Sequence, residues 1–175
     1  MMYRCLIANR GEIAVRIIRA CRELNIETVA IYAKGDENSL HVSLADQAIC
    51  IGEANPLDSY LNIDRIISAA KVTESNVIHP GYGFLSESTN FAKAVEDNHI
   101  HFIGPSKTTM EMMGDKITAR QTVKQAGVPV IPGSNDAVQS VDEIKLLSKE
   151  IGFPVVLKAA SGGGGKGIRI VKEAS

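Results

Sequence analysis

Residues 161–167 read Ser-Gly-Gly-Gly-Gly-Lys-Gly, the stretch of this chain richest in chemical implication. Glycines let backbone N–H groups close around phosphate oxygens, and Lys166 adds a cation beside Gly164 and Gly165. A flexible linker has the same composition. Here, however, the glycines are wedged between two strand-like runs, one ending in Lys158 and one from Ile168 to Val171, which is not a linker's setting. A Walker A loop needs Ser or Thr after its lysine and then a helix. Lys166 is followed by Gly167 and a strand-like run, so that motif fails. A dinucleotide fingerprint fails as well, because no helix opens from these glycines. What is left is a strand–loop–strand flap able to fold over a nucleotide triphosphate and keep water from a reactive phosphorylated species. Beside such a loop, Lys158 reads as aimed at an anion rather than snorkelling to solvent. Lys116 opens a helical pattern after Gly114 and Asp115, and spacing alone leaves it a surface lysine.

The first half of the chain has two loops of interest. Asn9-Arg-Gly-Glu12 follows the first apolar run, where a dinucleotide-binding domain carries G-x-G-x-x-G. One glycine cannot cradle a pyrophosphate closely, so an NAD-dependent oxidoreductase is a poor reading. Residues 79–87, His-Pro-Gly-Tyr-Gly-Phe-Leu-Ser-Glu, follow the run Val77-Ile78. Ligands of open α/β sheets gather at the carboxyl ends of strands. Gly81 and Gly83 permit left-handed backbone, and Tyr82 offers a ring face to a small cyclic ligand; a rigid turn without a ligand fits the same pattern. His79 reads as a structural loop residue, and nothing here has metal-ligand spacing. Arg16, Arg19 and Glu23 share a helix face opposite the apolar stripe, either a solvated face or a polar subunit contact.

The elements that must position these groups alternate along the chain. Strands are expected at 5–8, 28–32, 48–51, 77–78 and 101–103. Helical stripes fall between them: Ile13, Ile17, Cys21 and Leu24; then Ile63, Ile66, Ile67 and Ala70; then Phe91, Ala92 and Val95. Strands alternating with helices predict an open parallel sheet covered on both faces, a Rossmann-like α/β domain over residues 1–103. Residues 104–132 read as a helical linker, with helices over 108–113 and 116–125 and Gly127 as a stop. Residues 133–175 begin a second domain. Ser140 and Glu143 form an S-x-x-E capping box ahead of Ile144, Leu147 and Ile151, and the two strands flanking the glycines follow.

Composition excludes other classes. The formal net charge is −1, which gives no long-range attraction to nucleic acid or anionic lipid. Arg4, Arg10, Glu12 and Arg16 interrupt what a signal peptide would need, and no run approaches membrane-spanning length. Cys5, Cys21 and Cys50 lie far apart among apolar neighbours and read as buried, reduced thiols of a cytoplasmic protein, not as a disulfide or zinc site.

Taken together, Ile7-Ala-Asn-Arg-Gly-Glu-Ile-Ala14, residues 41–45, Ser59-Tyr-Leu-Asn62, residues 79–87, Phe102-Ile-Gly-Pro105, Met113-Gly-Asp-Lys116 and the glycine loop closely resemble biotin carboxylase, in order, from Arg4 to Val171. The family includes the stand-alone subunit of acetyl-CoA carboxylase, which serves fatty acid biosynthesis, and matching domains of pyruvate and propionyl-CoA carboxylases. The resemblance implies a pre-ATP-grasp N-domain and the start of an ATP-grasp domain. It implies a ligase that uses ATP, magnesium and bicarbonate to form carboxyphosphate and then carboxylates biotin on a carrier protein, with a carboxyltransferase component downstream. By motif match, Lys116, Lys158, Gly164, Gly165 and Lys166 would serve ATP, Tyr82 and Gly83 would face biotin, and Arg16, Arg19 and Glu23 would lie in a homodimer contact. Lys166 stands where the family also has arginine. The family's magnesium-binding glutamates, bicarbonate arginine and base carboxylate would lie beyond Ser175, leaving no catalytic or metal residue in this chain and an exposed edge at Ile168 to Val171. The piece alone is therefore expected to be inactive. The alternatives are a non-catalytic nucleotide-binding or dimerisation module, or another ATP-grasp ligase, which the Asn9 and His79 segments disfavour.

Overall fold

The computed structural model describes residues 3–134, 136–159 and 167–173, without the side chain of Lys116. It divides into two units, Met1–Met110 and Glu111–Ser175.

In the first unit five strands form one parallel sheet: β1 (Arg4–Ile7), β2 (Glu27–Ala33), β3 (Gln47–Gly52), β4 (Val77–His79) and β5 (His101–Phe102), in the order β3-β2-β1-β4-β5. Four helices connect them: α1 (Gly11–Glu23), α2 (Leu40–Leu44), α3 (Ile63–Val72) and α4 (Thr89–Asp97). Strand residues alternate between faces, so β1 feeds two cores. Leu6 and Ala8 join Ile66, Ile67, Phe91 and Val95 of α3 and α4 on one side. Cys5 and Ile7 join Ala14, Ile17, Ile18 and Cys21 of α1 on the other. This is the sheet covered on both faces that the alternation predicts.

Two expectations need correction. Leu24 is 69% exposed, because α1 ends at Glu23 and Leu24, the C-cap residue, falls outside the stripe. Cys50 is an exposed thiol rather than a buried one, since β3 is the sheet's edge strand and only Ile51 of it is buried; Cys5 and Cys21 are buried. Short α2 and a 3-10 turn at Pro56–Asp58 carried no periodic signal and were not expected.

The second unit takes in the latter half of α5 (Lys107–Gly114), together with α6 (Lys116–Gln125), α7 (Val141–Ile151) and an antiparallel pair, β6 (Val155–Lys158) and β7 (Ile168–Val171), with Lys158 opposite Ile168. Gly127 follows α6 with φ 76°, the left-handed stop that glycine supplies without strain. The Ser140 hydroxyl accepts the Glu143 N–H at 3.2 Å, while the Glu143 carboxylate accepts the Gln139 N–H at 2.9 Å, one residue earlier than a standard box. Of the expected α7 stripe, Ile144 and Leu147 are half-buried and Ile151 is exposed.

Candidate functional site

The sheet order reverses between β1 and β4, which lie side by side although 70 residues separate Ile7 from Val77. Chains leaving such neighbours diverge to opposite faces and open a crevice at the strands' carboxyl ends. The turn after β1 and the loop after β4 meet there, around a groove of about 340 Å³ lined by Asn9, Arg10, Glu12, Tyr82, Gly83 and Phe84.

Asn9 is buried, and its amide donates to the carbonyl oxygens of Pro80 and Tyr82, both at 2.8 Å. Its oxygen accepts the Arg10 N–H at 2.9 Å. The His79 Nδ1 accepts the Gly81 N–H at 3.0 Å, and burial pushes this imidazole's pKa below its ordinary value, so the ring is a neutral acceptor that shapes the loop. Tyr82 is 60% exposed, and its hydroxyl donates to the Glu12 carboxylate, which pushes the phenol pKa upward. Tyr82 and Gly83 are thus brought together at the crevice as separate side-chain and backbone surfaces.

Beneath the loop lies a second cluster. Phe84 stacks on Tyr60 with ring centroids 5.2 Å apart, and the Arg10 guanidinium lies 5.4 Å from the Tyr60 centroid and 5.9 Å from that of Phe84. Arg10 also pairs with Asp36 at 3.3 Å, and the Tyr60 hydroxyl donates to the same carboxylate at 2.6 Å while accepting the Ala33 N–H at 3.0 Å. Burial and that carboxylate raise the Tyr60 pKa, keeping the phenol protonated. Reasoning from sequence did not single out Asn9, Arg10, Asp36 or Tyr60 as individual site groups. The available signals were that Asn9 and Arg10 stand in the turn after the first strand, and that Asn9, Arg10 and Tyr60 fall within segments that carry the family resemblance; Asp36 carried none.

Arg16, Arg19 and Glu23 lie exposed along α1 and line a separate open cavity of about 720 Å³ with Leu40 and His41. His41 is buried, its Nε2 lies 3.3 Å from the Ile31 carbonyl, and burial lowers its pKa. In the second unit Lys158 is exposed at the end of β6. Lys116 is the first residue of α6, whose N-cap Asp115 accepts the Thr118 N–H at 2.7 Å. Gly164, Gly165 and Lys166 lie outside the described residues. Among the described residues no three His, Cys, Asp or Glu side chains are grouped to hold a metal, and no helix is long and apolar enough to cross a membrane.

An open parallel α/β domain with its crevice at the β1/β4 switch point, and a turn there too poor in glycine for a dinucleotide, defines the class. Residues 1–110 match the family described as biotin carboxylase, N-terminal domain, and residues 115–175 match the carbamoyl-phosphate synthase L chain, ATP binding domain. The chain belongs to the biotin carboxylase family. It is 55% identical to biotin carboxylase 1 of Bacillus subtilis, covering 98% of this chain and 38% of that protein. It is 52% identical to the 2-oxoglutarate carboxylase small subunit of Hydrogenobacter thermophilus, over 98% and 36% respectively. The Campylobacter jejuni biotin carboxylase, solved as a β-γ-ATP complex, superposes with a TM-score of 0.92 at 48% identity, over 99% of this chain and 39% of that one. The Hydrogenobacter thermophilus biotin carboxylase domain dimer, solved with MgADP, ADP and bicarbonate, gives a TM-score of 0.88 at 52% identity, over 98% and 38%. The chain therefore spans well under half the length of these relatives.

Proposed function

We propose that this chain supplies the N-terminal domain and the start of the ATP-grasp domain of an enzyme that carboxylates carrier-bound biotin, using ATP and bicarbonate by way of carboxyphosphate. The observation that carries the reading is family membership over nearly the whole chain, joined to a β1/β4 crevice that presents Tyr82 and Gly83. In this reading Tyr82 and Gly83 face the biotin end of the cleft. Lys116, Lys158 and Lys166 neutralise ATP phosphates, and backbone amides at Gly164 and Gly165 cover them. Cations and fixed N–H dipoles stabilise the charge that develops in phosphoryl transfer, and a closed flap keeps water from carboxyphosphate. Magnesium is assigned to carboxylates outside these residues, as are the bicarbonate site and the catalytic base, so the 175-residue chain is an incomplete catalytic unit.

Arg16, Arg19 and Glu23 are assigned to a homodimer contact; their exposure on α1 supports it, as does the dimer reported for the Hydrogenobacter domain. The partners are a biotin carboxyl carrier protein or domain and a carboxyltransferase component, in the cytoplasm. Whether the carboxyl group goes on to acetyl-CoA for fatty acid biosynthesis or to an oxo acid is set by that carboxyltransferase. The test is bicarbonate- and biotin-dependent ATP hydrolysis by the 175-residue chain beside the full-length polypeptide. Turnover by the long form alone supports the reading, turnover by the short form refutes the placement of the missing groups, and silence from both refutes the activity.

A further inference from the structure

We propose that Asn9 is a positioning residue for biotin: the turn after β1, which in dinucleotide-binding domains grips a phosphate, here grips the loop after β4 and holds Tyr82 and Gly83 in place. The inference rests on the assignment of that loop to biotin made above.

The loop takes a path that a free peptide would not keep. Gly81 and Gly83 have φ of 66° and 67°, and Phe84, which has a Cβ and a ring, has φ of 40°. A bulky residue in left-handed backbone persists only where its surroundings over-determine it. Two adjacent residues of the β1–α1 turn supply that determination. Asn9 uses both amide hydrogens, one on the Pro80 carbonyl and one on the Tyr82 carbonyl, and uses its oxygen on the Arg10 N–H. Only this orientation of the amide is tenable, since the reverse would set its oxygen against two carbonyl oxygens. Arg10 then lies over the Phe84–Tyr60 stack that pins the residue after Gly83. The fit is close on the loop side too: a Cβ at Gly81 would lie 3.0 Å from the Asn9 amide nitrogen and 3.0 Å from Ile13.

The arrangement fastens the backbone and leaves the recognition surface open. Tyr82 has its carbonyl tied to a buried side chain while its ring stays 60% exposed. Gly83 lies between the two clamps, in the groove. With its amide committed to Pro80, Tyr82 and Arg10, Asn9 acts through the loop. Its loss should therefore appear in the use of biotin and nowhere else.

Asn9→Asp is the sharp variant, isosteric but with an acceptor facing two carbonyls. In the full-length enzyme it is expected to raise the KM for free biotin at least tenfold, leaving the KM values for ATP and bicarbonate within twofold of wild type. Gly83→Ala, a direct change in the proposed biotin surface, is measured beside it. If Gly83→Ala raises the biotin KM and Asn9→Asp does not, the positioning role is overturned and the biotin assignment survives. If neither moves it, the biotin assignment falls and the positioning role falls with it. A uniform loss with ATP, bicarbonate and biotin would show a structural role only. Should Asn9→Asp not fold, Phe84→Leu, which removes the stacked ring on the far side of Gly83, is judged by the same criteria.

Discussion

Burying a hydroxyl obliges it to find partners, and Tyr60 shows how much one such group can organise. Its oxygen takes the N–H of Ala33, itself buried in β2, and gives its proton to Asp36. Tyr60→Phe keeps the stack on Phe84 but strands that N–H, so it should cost about 1–3 kcal/mol, the usual penalty for an unsatisfied buried donor. Urea denaturation of the chain measures it, and an unchanged midpoint would deny the hydroxyl this role. At the same scale, His41 and His79 are held neutral by burial. The unfolded chain takes up these protons near the ordinary value of 6.5, the folded chain only at lower pH. Their contribution is thus complete above pH 6.5 and lost as pH falls toward the depressed values. The urea midpoint is expected to drop between pH 7.5 and pH 5.5, and His41→Phe, which leaves only the half-buried His79 imidazole with a depressed pKa, should shrink that drop.

Elements here owe their identity to local pattern and their strength to packing. β1 is the centre of the sheet, and its Leu6 is fully buried against α3 and α4. Leu6→Ala should cost about 2–5 kcal/mol, the range for emptying a filled core position, and denaturant unfolding followed by far-UV circular dichroism would show it. At the other end of the chain, Ser140→Ala removes the N-cap of α7 and should cost about 1 kcal/mol, seen as lost helicity on mild heating. The alternation of apolar runs and helical stripes made most strands and helices legible in the sequence, because periods of 2 and 3.6 are written in neighbouring residues. Five-residue α2 is too short to express a period.

For the whole molecule the two units differ in how completely they cover their apolar residues. Residues 1–110 enclose both cores. Beyond them, Ile131, Leu146 and Ile170 are 85%, 64% and 67% exposed, and the two strands β6 and β7 pair only with each other among the described residues. A two-stranded pair with little buried surface is marginal in water. Limited proteolysis of this chain is expected to cut first within residues 111–175 and to leave, after trimming, a resistant fragment of about 110 residues, the smallest piece that keeps both cores, read by mass spectrometry. Early cleavage inside the first unit would contradict that ranking of stability.

From its sequence alone this protein is an open parallel α/β domain followed by a glycine-bearing hairpin, with a turn after the first strand unfit for dinucleotide and a second loop that suits a small ring or a rigid turn equally. Those conclusions follow from local periodicity and from residue types such as the single glycine at Gly11. The tertiary structure decided which strand is the edge, and so that Cys50 is exposed; it also decided that Tyr60 reaches Ala33 and Asp36. Above all it decided that Asn9 meets Pro80 and Tyr82, partners 71 and 73 residues away. Such contacts depend on strand order, and the pairing of β1 with β4 is a property of the assembled sheet that no local pattern encodes.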